Sequence, residues 1–182
     1  MKLLFIRHGQ TDFNKNKLPQ GQEIDAPLND TGIKQAEEAA KSLPEDIDLV
    51  IASPLKRASQ TAEILNKKLN KKLEFNNDIK ELRYGSLAGK PWSEIVEITG
   101  SKDIHEKDDK TLFDYKKFGG DSAEDLKQRV AKFVSEVKEK HPNKTILIVT
   151  HGGVIDAMHI LFPQKERVET NNATVHEFNF EV

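Results

Sequence analysis

The sequence predicts an α/β fold, a doubly wound three-layer α/β/α sandwich. It has a mostly parallel central sheet and a small lid insertion. Three observations carry that prediction. Residues 2–6, 49–52 and 145–149 are short, nearly continuous apolar runs, as expected of strands covered on both faces. Helical periodicity fills the stretches between them. The element order, βαβα, then a variable middle, then αβαβ, is that of a wound sheet.

The elements follow in order. Lys2 to Ile6 opens the chain as a strand, and an alanine- and glutamate-rich helix is expected from Thr31 to Leu43. Leu49-Val50-Ile51-Ala52 is the second strand. Ser53 is the expected N-cap of the next helix, with Pro54 at its first position. Leu55, Ala58, Ala62, Leu65 and Leu69 keep one face of that helix apolar. From about Ile98 to Phe118, charges of both signs lack periodicity, as in an insertion or lid rather than a second domain. Leu126, Val130, Phe133, Val134 and Val137 mark a long helix. It is expected to start at a capping-box spacing, Asp121-Ser122-Ala123-Glu124, and to stop before Pro142. Thr145 to Val149 is the third strand, Gly153 to Leu161 a further helix, and Ala173 to Val182 a final strand. The length, 182 residues, suits a single domain, 1–182.

Composition removes several function classes. The net charge of −2 carries no signature of nucleic-acid or anionic-membrane partners. The absence of cysteine excludes disulfides, zinc–thiolate sites and thiol nucleophiles. No apolar run reaches transmembrane length, and the N-terminal run is too short for a signal-peptide core. A soluble, cytoplasmic protein is the expectation. Arginine is scarce: there are 23 lysines but only Arg7, Arg57, Arg83, Arg129 and Arg167. A chain that uses lysine for generic charge has more need of arginine's planar fork at the few places it appears.

Two of the predicted strands end in a His-Gly pair, His8-Gly9 and His151-Gly152. Ligands of wound sheets bind beyond the carboxyl ends of the strands. Arg7 precedes the first histidine, and Arg57 lies at the start of the helix after the second strand, where anions are favoured. Two histidines, two arginines and a helix start describe a site for a small dianion, most simply a phosphoryl group. Either His-Gly pair taken alone is more often structural or merely exposed than catalytic, because so short a motif is weak. A metal site is the other reading of paired histidines, but no third ligand stands at recognisable spacing and the cationic surround opposes a divalent ion. His105, His141, His159 and His176 have no such context.

Six ordered blocks carry a resemblance. "RHGQT" followed by Asn14, "PLNDTGIKQA" from Pro27, "SPLKRASQTA" from Ser53, "ELRYG" from Glu81, "GGDS" from Gly119 and "THGG" from Thr150 resemble the histidine phosphatase superfamily. This is the clade of phosphoglycerate mutases and related small phosphatases. The resemblance implies that His8 is the nucleophile that takes the phosphoryl group. It implies that Arg7, Arg57 and His151 hold the phosphoryl oxygens, with Asn14 nearby and Gly152 beside them. Glu81 matches the general acid and base, and Gln20 and Gly21 a pocket-lining pair. The chain departs from the family where Gln10 replaces a common glutamate, where Leu87-Ala88-Gly89 replaces a Trp-Glu-Gly block, and at Asp121. The Gly21–Asp25 stretch is also one residue longer. These differences touch the substrate pocket rather than the catalytic set.

The implied chemistry is physically coherent. A histidine attacks only when neutral, and nearby guanidinium charges keep it so near pH 7. The same charges neutralise the substrate dianion. The expected activity is therefore a metal-independent phosphomonoesterase that acts on a small phosphorylated metabolite through a phosphohistidine, with no cofactor. The alternatives are a cofactor-dependent phosphoglycerate mutase and a silent phospho-ligand-binding member of the fold. The mutases of the family are longer and carry a C-terminal tail near the site, which favours the phosphatase. Neither the natural substrate nor the oligomeric state is legible.

Overall fold

The computed structural model describes residues 1–100, 114–163 and 169–181. Five strands, β1 (Lys2–Arg7), β2 (Leu49–Ala52), β3 (Lys72–Phe75), β4 (Thr145–Thr150) and β5 (Val175–Asn179), form one sheet in the order β3-β2-β4-β1-β5. All adjacent pairs are parallel except β1 with β5, which is antiparallel. The helices are α1 (Asp12–Lys15), α2 (Asp30–Ser42), α3 (Lys56–Leu69), α4 (Trp92–Thr99), α5 (Ala123–Lys140) and α6 (Gly152–Leu161).

The apolar runs are continuous because both faces of the inner strands are covered. Leu3, Phe5, Leu49, Ile51, Ile146 and Ile148 join Leu126, Val130 and Phe133 of α5 and Val154 and Met158 of α6 on one face. Leu4, Ile6, Val50, Ala52, Leu147 and Val149 join Ala39 and Ala40 of α2 and Ala62 and Leu65 of α3 on the other. Each buried leucine, isoleucine or phenylalanine contributes about 1.5–3 kcal/mol, so this double layer is a rigid base for whatever leaves the strand ends. The register aligns those ends. Arg7 pairs with Thr150 and Ala52 with Val149, so His8, Ser53 and His151 emerge side by side.

Several elements differ from the sequence expectation. The α3 helix begins at Lys56 with Leu55 as N-cap and no side-chain cap, not at Pro54 with Ser53. The Ser53 hydroxyl is instead engaged with His151. The capping box of α5 is Ser122 with Asp125, one residue beyond the expected pair. Asp121 is unavailable because its carboxylate accepts from the Arg83 N–H at 3.1 Å. Asn29 caps α2 one residue earlier than expected, and β5 spans a shorter stretch than 173–182. The short α1, the edge strand β3 and the eight-residue α4 have no counterpart in the expected set. Within the expected 98–118 lid, Ile98 and Thr99 close α4 and Lys116–Phe118 form a 3₁₀ turn. Residues 101–113, with His105, lie outside the described residues, as does Arg167. Among the described residues no helix is long and apolar enough to cross a membrane.

Candidate active site

His8 follows β1 and is 2% exposed. Its Nδ1 lies 2.7 Å from the Gly9 carbonyl, which can only accept, so Nδ1 carries the ring proton. The neutral ring therefore presents its lone pair at Nε2. Arg57 Nε donates to that atom at 3.2 Å. Burial, then the Arg57 and Arg7 charges, hold the His8 pKa well below the ordinary histidine value, against the pull of the Gly9 hydrogen bond.

Arg57 is the second residue of α3 and 1% exposed. It is held by carbonyls, donating through its two terminal nitrogens to Gly21 at 2.8 Å and to Ile24 at 3.2 Å. Gly21 sits at φ +58°, a left-handed backbone that glycine adopts without the Cβ penalty of other residues. Neutral acceptors orient the guanidinium without cancelling its charge. Arg7 donates to the Thr170 carbonyl at 2.8 Å, and its Nε is buried with no hydrogen-bond partner among the described residues. A Cβ on Gly152 would sit 3.6 Å from that Nε, so glycine at the start of α6 leaves this edge of Arg7 open.

His151 is the N-cap residue of α6 and fully buried. Its ring lies 5.2 Å from that of His8, centroid to centroid. Nε2 pairs with the Ser53 hydroxyl at 2.7 Å, while the buried Nδ1 has no hydrogen-bond partner among the described residues. Burial, then Arg57, His8 and Arg7, hold its pKa well below the usual range too. Glu81 accepts from the Leu82 N–H at 2.8 Å and from the Gly153 N–H of α6 at 3.4 Å. Its charge favours the ionised forms of both Arg7 and Arg57.

Asn14 and Gln20 form a second group, joined through Thr11. Asn14 Oδ1 accepts from the Thr11 N–H and hydroxyl, both at 3.1 Å, and Gln20 Nε2 donates to Thr11 Oγ1 at 2.9 Å. Any grip by Asn14 on an anion is left to its Nδ2. Of the histidines without a predicted role, His159 and His176 pair at 3.0 Å, and His141 is the C-cap residue of α5. Sequence reasoning missed Ser53 as the partner of His151, and Thr61. Thr61 Oγ1 accepts from the Gly9 N–H at 3.1 Å and donates to the Arg57 carbonyl at 2.7 Å, joining the His8 loop to α3. Its place four residues after Arg57, on the same helix face, was the available signal.

The arrangement brings an imidazole nitrogen with its lone pair, two guanidinium groups, a second imidazole and a helix N-terminus to the carboxyl ends of β1 and β4, with the Glu81 side chain alongside. Comparison with known proteins gives the family. The family model of the histidine phosphatase superfamily (branch 1) matches residues 3–181. An uncharacterized phosphatase, PhoE, of Bacillus subtilis is 35% identical over 154 residues, 84% of this chain and 72% of its own. A metal-independent phosphoserine phosphatase of Arabidopsis thaliana is 32% identical over 170 residues, 90% of this chain and 69% of its own. A mycobacterial glucosyl-3-phosphoglycerate phosphatase, solved with VO3, superposes with a TM-score of 0.84 at 25% identity, over 97% of this chain and 90% of that one.

Proposed function

The chain belongs to the histidine phosphatase superfamily and is a phosphatase; we propose that it hydrolyses small phosphorylated metabolites without a metal, through a phosphohistidine on His8. One observation carries this reading. Nδ1 of His8 is committed to the Gly9 carbonyl, which leaves Nε2 as a lone pair beside Arg57.

The chemistry follows from that geometry. The phosphoryl dianion enters between Arg7, Arg57 and His151. Arg57 releases Nε2 and turns its N–H groups onto phosphoryl oxygens. With the Ser53 hydroxyl donating to Nε2 of His151, that ring's own proton sits on Nδ1 and bonds a further oxygen. His8 Nε2 attacks phosphorus, the ester P–O bond breaks, and Glu81, entering this step in its acid form, gives its proton to the departing oxygen. The phosphorylated ring is cationic, and the Gly9 carbonyl stabilises its Nδ1–H. Glu81, now a carboxylate, takes a proton from water. That water attacks phosphorus, the P–N bond breaks, and phosphate leaves neutral His8. Among the described residues no group of three or more His, Asp or Glu side chains is placed to hold a metal ion. The two arginines supply the charge that balances the dianion. The relatives named for phosphoserine and glucosyl-3-phosphoglycerate support a small phosphorylated metabolite as substrate.

The test is a rapid, acid-free quench with ³²P-labelled substrate. Label is expected on the wild-type protein and none on His8→Ala, with turnover unchanged by EDTA. Equal labelling of both proteins, or activity lost to EDTA and restored by a divalent ion, overturns the proposal. Turnover of 3-phosphoglycerate to its isomer with bisphosphoglycerate present would assign a mutase instead.

A further inference from the structure

The block "PLNDTGIKQA" has no part in the chemistry above, yet its helix lies against the His8 loop. A Cβ on Gly9 would sit 2.4 Å from the Gly32 carbonyl, and one on Gly32 2.1 Å from the Gln10 carbonyl. Only a pair of glycines lets α2 approach this closely. The approach brings Gln35, one turn further along the same face, to the loop. Gln35 Oε1 accepts from the Gln10 N–H at 2.8 Å. That N–H belongs to the same peptide group as the Gly9 carbonyl, the acceptor of His8 Nδ1. The hydrogen bonds thus run in series, from imidazole to peptide to carboxamide, and each polarises the next.

The geometry points to Gln35 as a positioning residue: its carboxamide oxygen fixes the peptide plane that sets the tautomer and aim of the His8 ring. The neighbouring groups are held separately. Thr61 holds the Gly9 N–H, and Asn172 Nδ2 donates to the His8 carbonyl at 2.8 Å. Gln35 itself is half-buried and lines a shallow depression with Glu38, Ala39, Ser42, Asn172 and Ala173, none of which belongs to the phosphoryl site. It therefore acts through His8 and not on substrate. The inference rests on His8 being the nucleophile.

The required chemistry is an acceptor at the end of a four-atom side chain, which separates this role from simple packing. Gln35→Met fills the same space but offers no strong acceptor. Gln35→Glu keeps the acceptor. Gln35→Asn withdraws it by one carbon at little cost to folding. Met and Asn variants should transfer the phosphoryl group to His8 about 10–100-fold more slowly in single turnover, with vanadate affinity nearly unchanged. The Glu variant should stay within about threefold of wild type. Nitrogen-15 shifts of the His8 ring should show the Nδ1–H tautomer in wild type and the Glu variant, and a mixture in the Met and Asn variants. Full-rate labelling in both the Met and Asn variants, or a Glu variant as slow as Met, overturns the brace. Label that never reaches His8 in the wild type overturns the nucleophile instead, so the two failures are distinct.

Discussion

His8-Gly9 follows β1 and His151-Gly152 follows β4, neighbours in register in the sheet, yet the chain continues differently after each. After His8 comes a loop, and the ring donates to the next carbonyl from Nδ1, leaving Nε2 for a bond to come. After His151 a helix starts at once. The residue spends its carbonyl on the Ile155 N–H and its Nε2 on Ser53, and Nδ1 is left open. The dipeptides are identical, and the partner of Nδ1 separates them. In the proposed mechanism the ring with Nδ1–H tied to backbone is the nucleophile, whereas the ring whose Nε2 accepts from a hydroxyl keeps its proton on the open Nδ1 and is the donor.

The largest effect should break that comparison cleanly. His8→Ala should lower turnover by at least about 10⁴-fold and accept no label. His151→Ala should still accept label on His8, about 10²–10³-fold more slowly, as expected for a lost donor to the transferring group. Matching behaviour of the two variants in the labelling assay would erase the distinction.

Glu81 sharpens it, because in the proposed mechanism its side chain serves the chemistry at Nε2 of His8. Glu81→Gln should slow phosphohistidine formation about 10²–10⁴-fold for alkyl phosphates, whose leaving oxygen needs a proton. It should slow the same step far less for p-nitrophenyl phosphate. Single-turnover kinetics must isolate that step, since the role proposed for Glu81 includes the hydrolysis that follows. Equal losses with both substrates would leave Glu81 as a brace for the arginines only.

Arg57 touches both histidines electrostatically but bonds only His8. Arg57→Lys should cost about 10–10³-fold in kcat/KM, roughly 1.5–4 kcal/mol, because a point charge cannot replace a fork anchored on two carbonyls. A near wild-type value would place Arg57 outside the phosphoryl site.

The smallest effect is one the two rings share. Both have folded-state pKa values well below 6.5, so the unfolded chain binds protons that the folded one refuses. Stability from this source is level above pH 6.5 and falls as pH drops below it towards the depressed folded values. The loss approaches about 1.4 kcal/mol per pH unit for each histidine. Urea unfolding between pH 7 and 5.5 should show it, and each His→Ala variant should flatten the slope by about half. A slope unchanged by either substitution would mean that the rings take up protons as readily in the folded protein as in the unfolded chain.

Part of this molecule was legible because its physics is local. The runs ending in Arg7, Ala52 and Thr150 stand out since both faces of those strands are buried. The edge strand β3, Lys-Leu-Glu-Phe, is half in solvent and too short for its alternation to register. His8, Arg57, Glu81 and His151 could be named from the ordered blocks, but not how each is held. Ser53 has the look of a helix cap, and only the sheet register reveals that His151 claims its hydroxyl. Gln35, Thr61 and Asn172 act on backbone groups 25, 52 and 164 positions away. No local pattern encodes such contacts.

The place of β1 in the sheet has a consequence for synthesis on the ribosome. Its two partners, β4 and β5, come from residues 145–150 and 175–179. At about 5–20 residues per second, Leu3–Ile6 waits on the order of 10–30 s for its first neighbour strand. During that interval four apolar side chains and two open backbone edges face the nascent-chain environment, as attractive to a stray strand as to their own. The strand that leads to His8 is thus translated long before either of its partners and is enclosed only when they arrive.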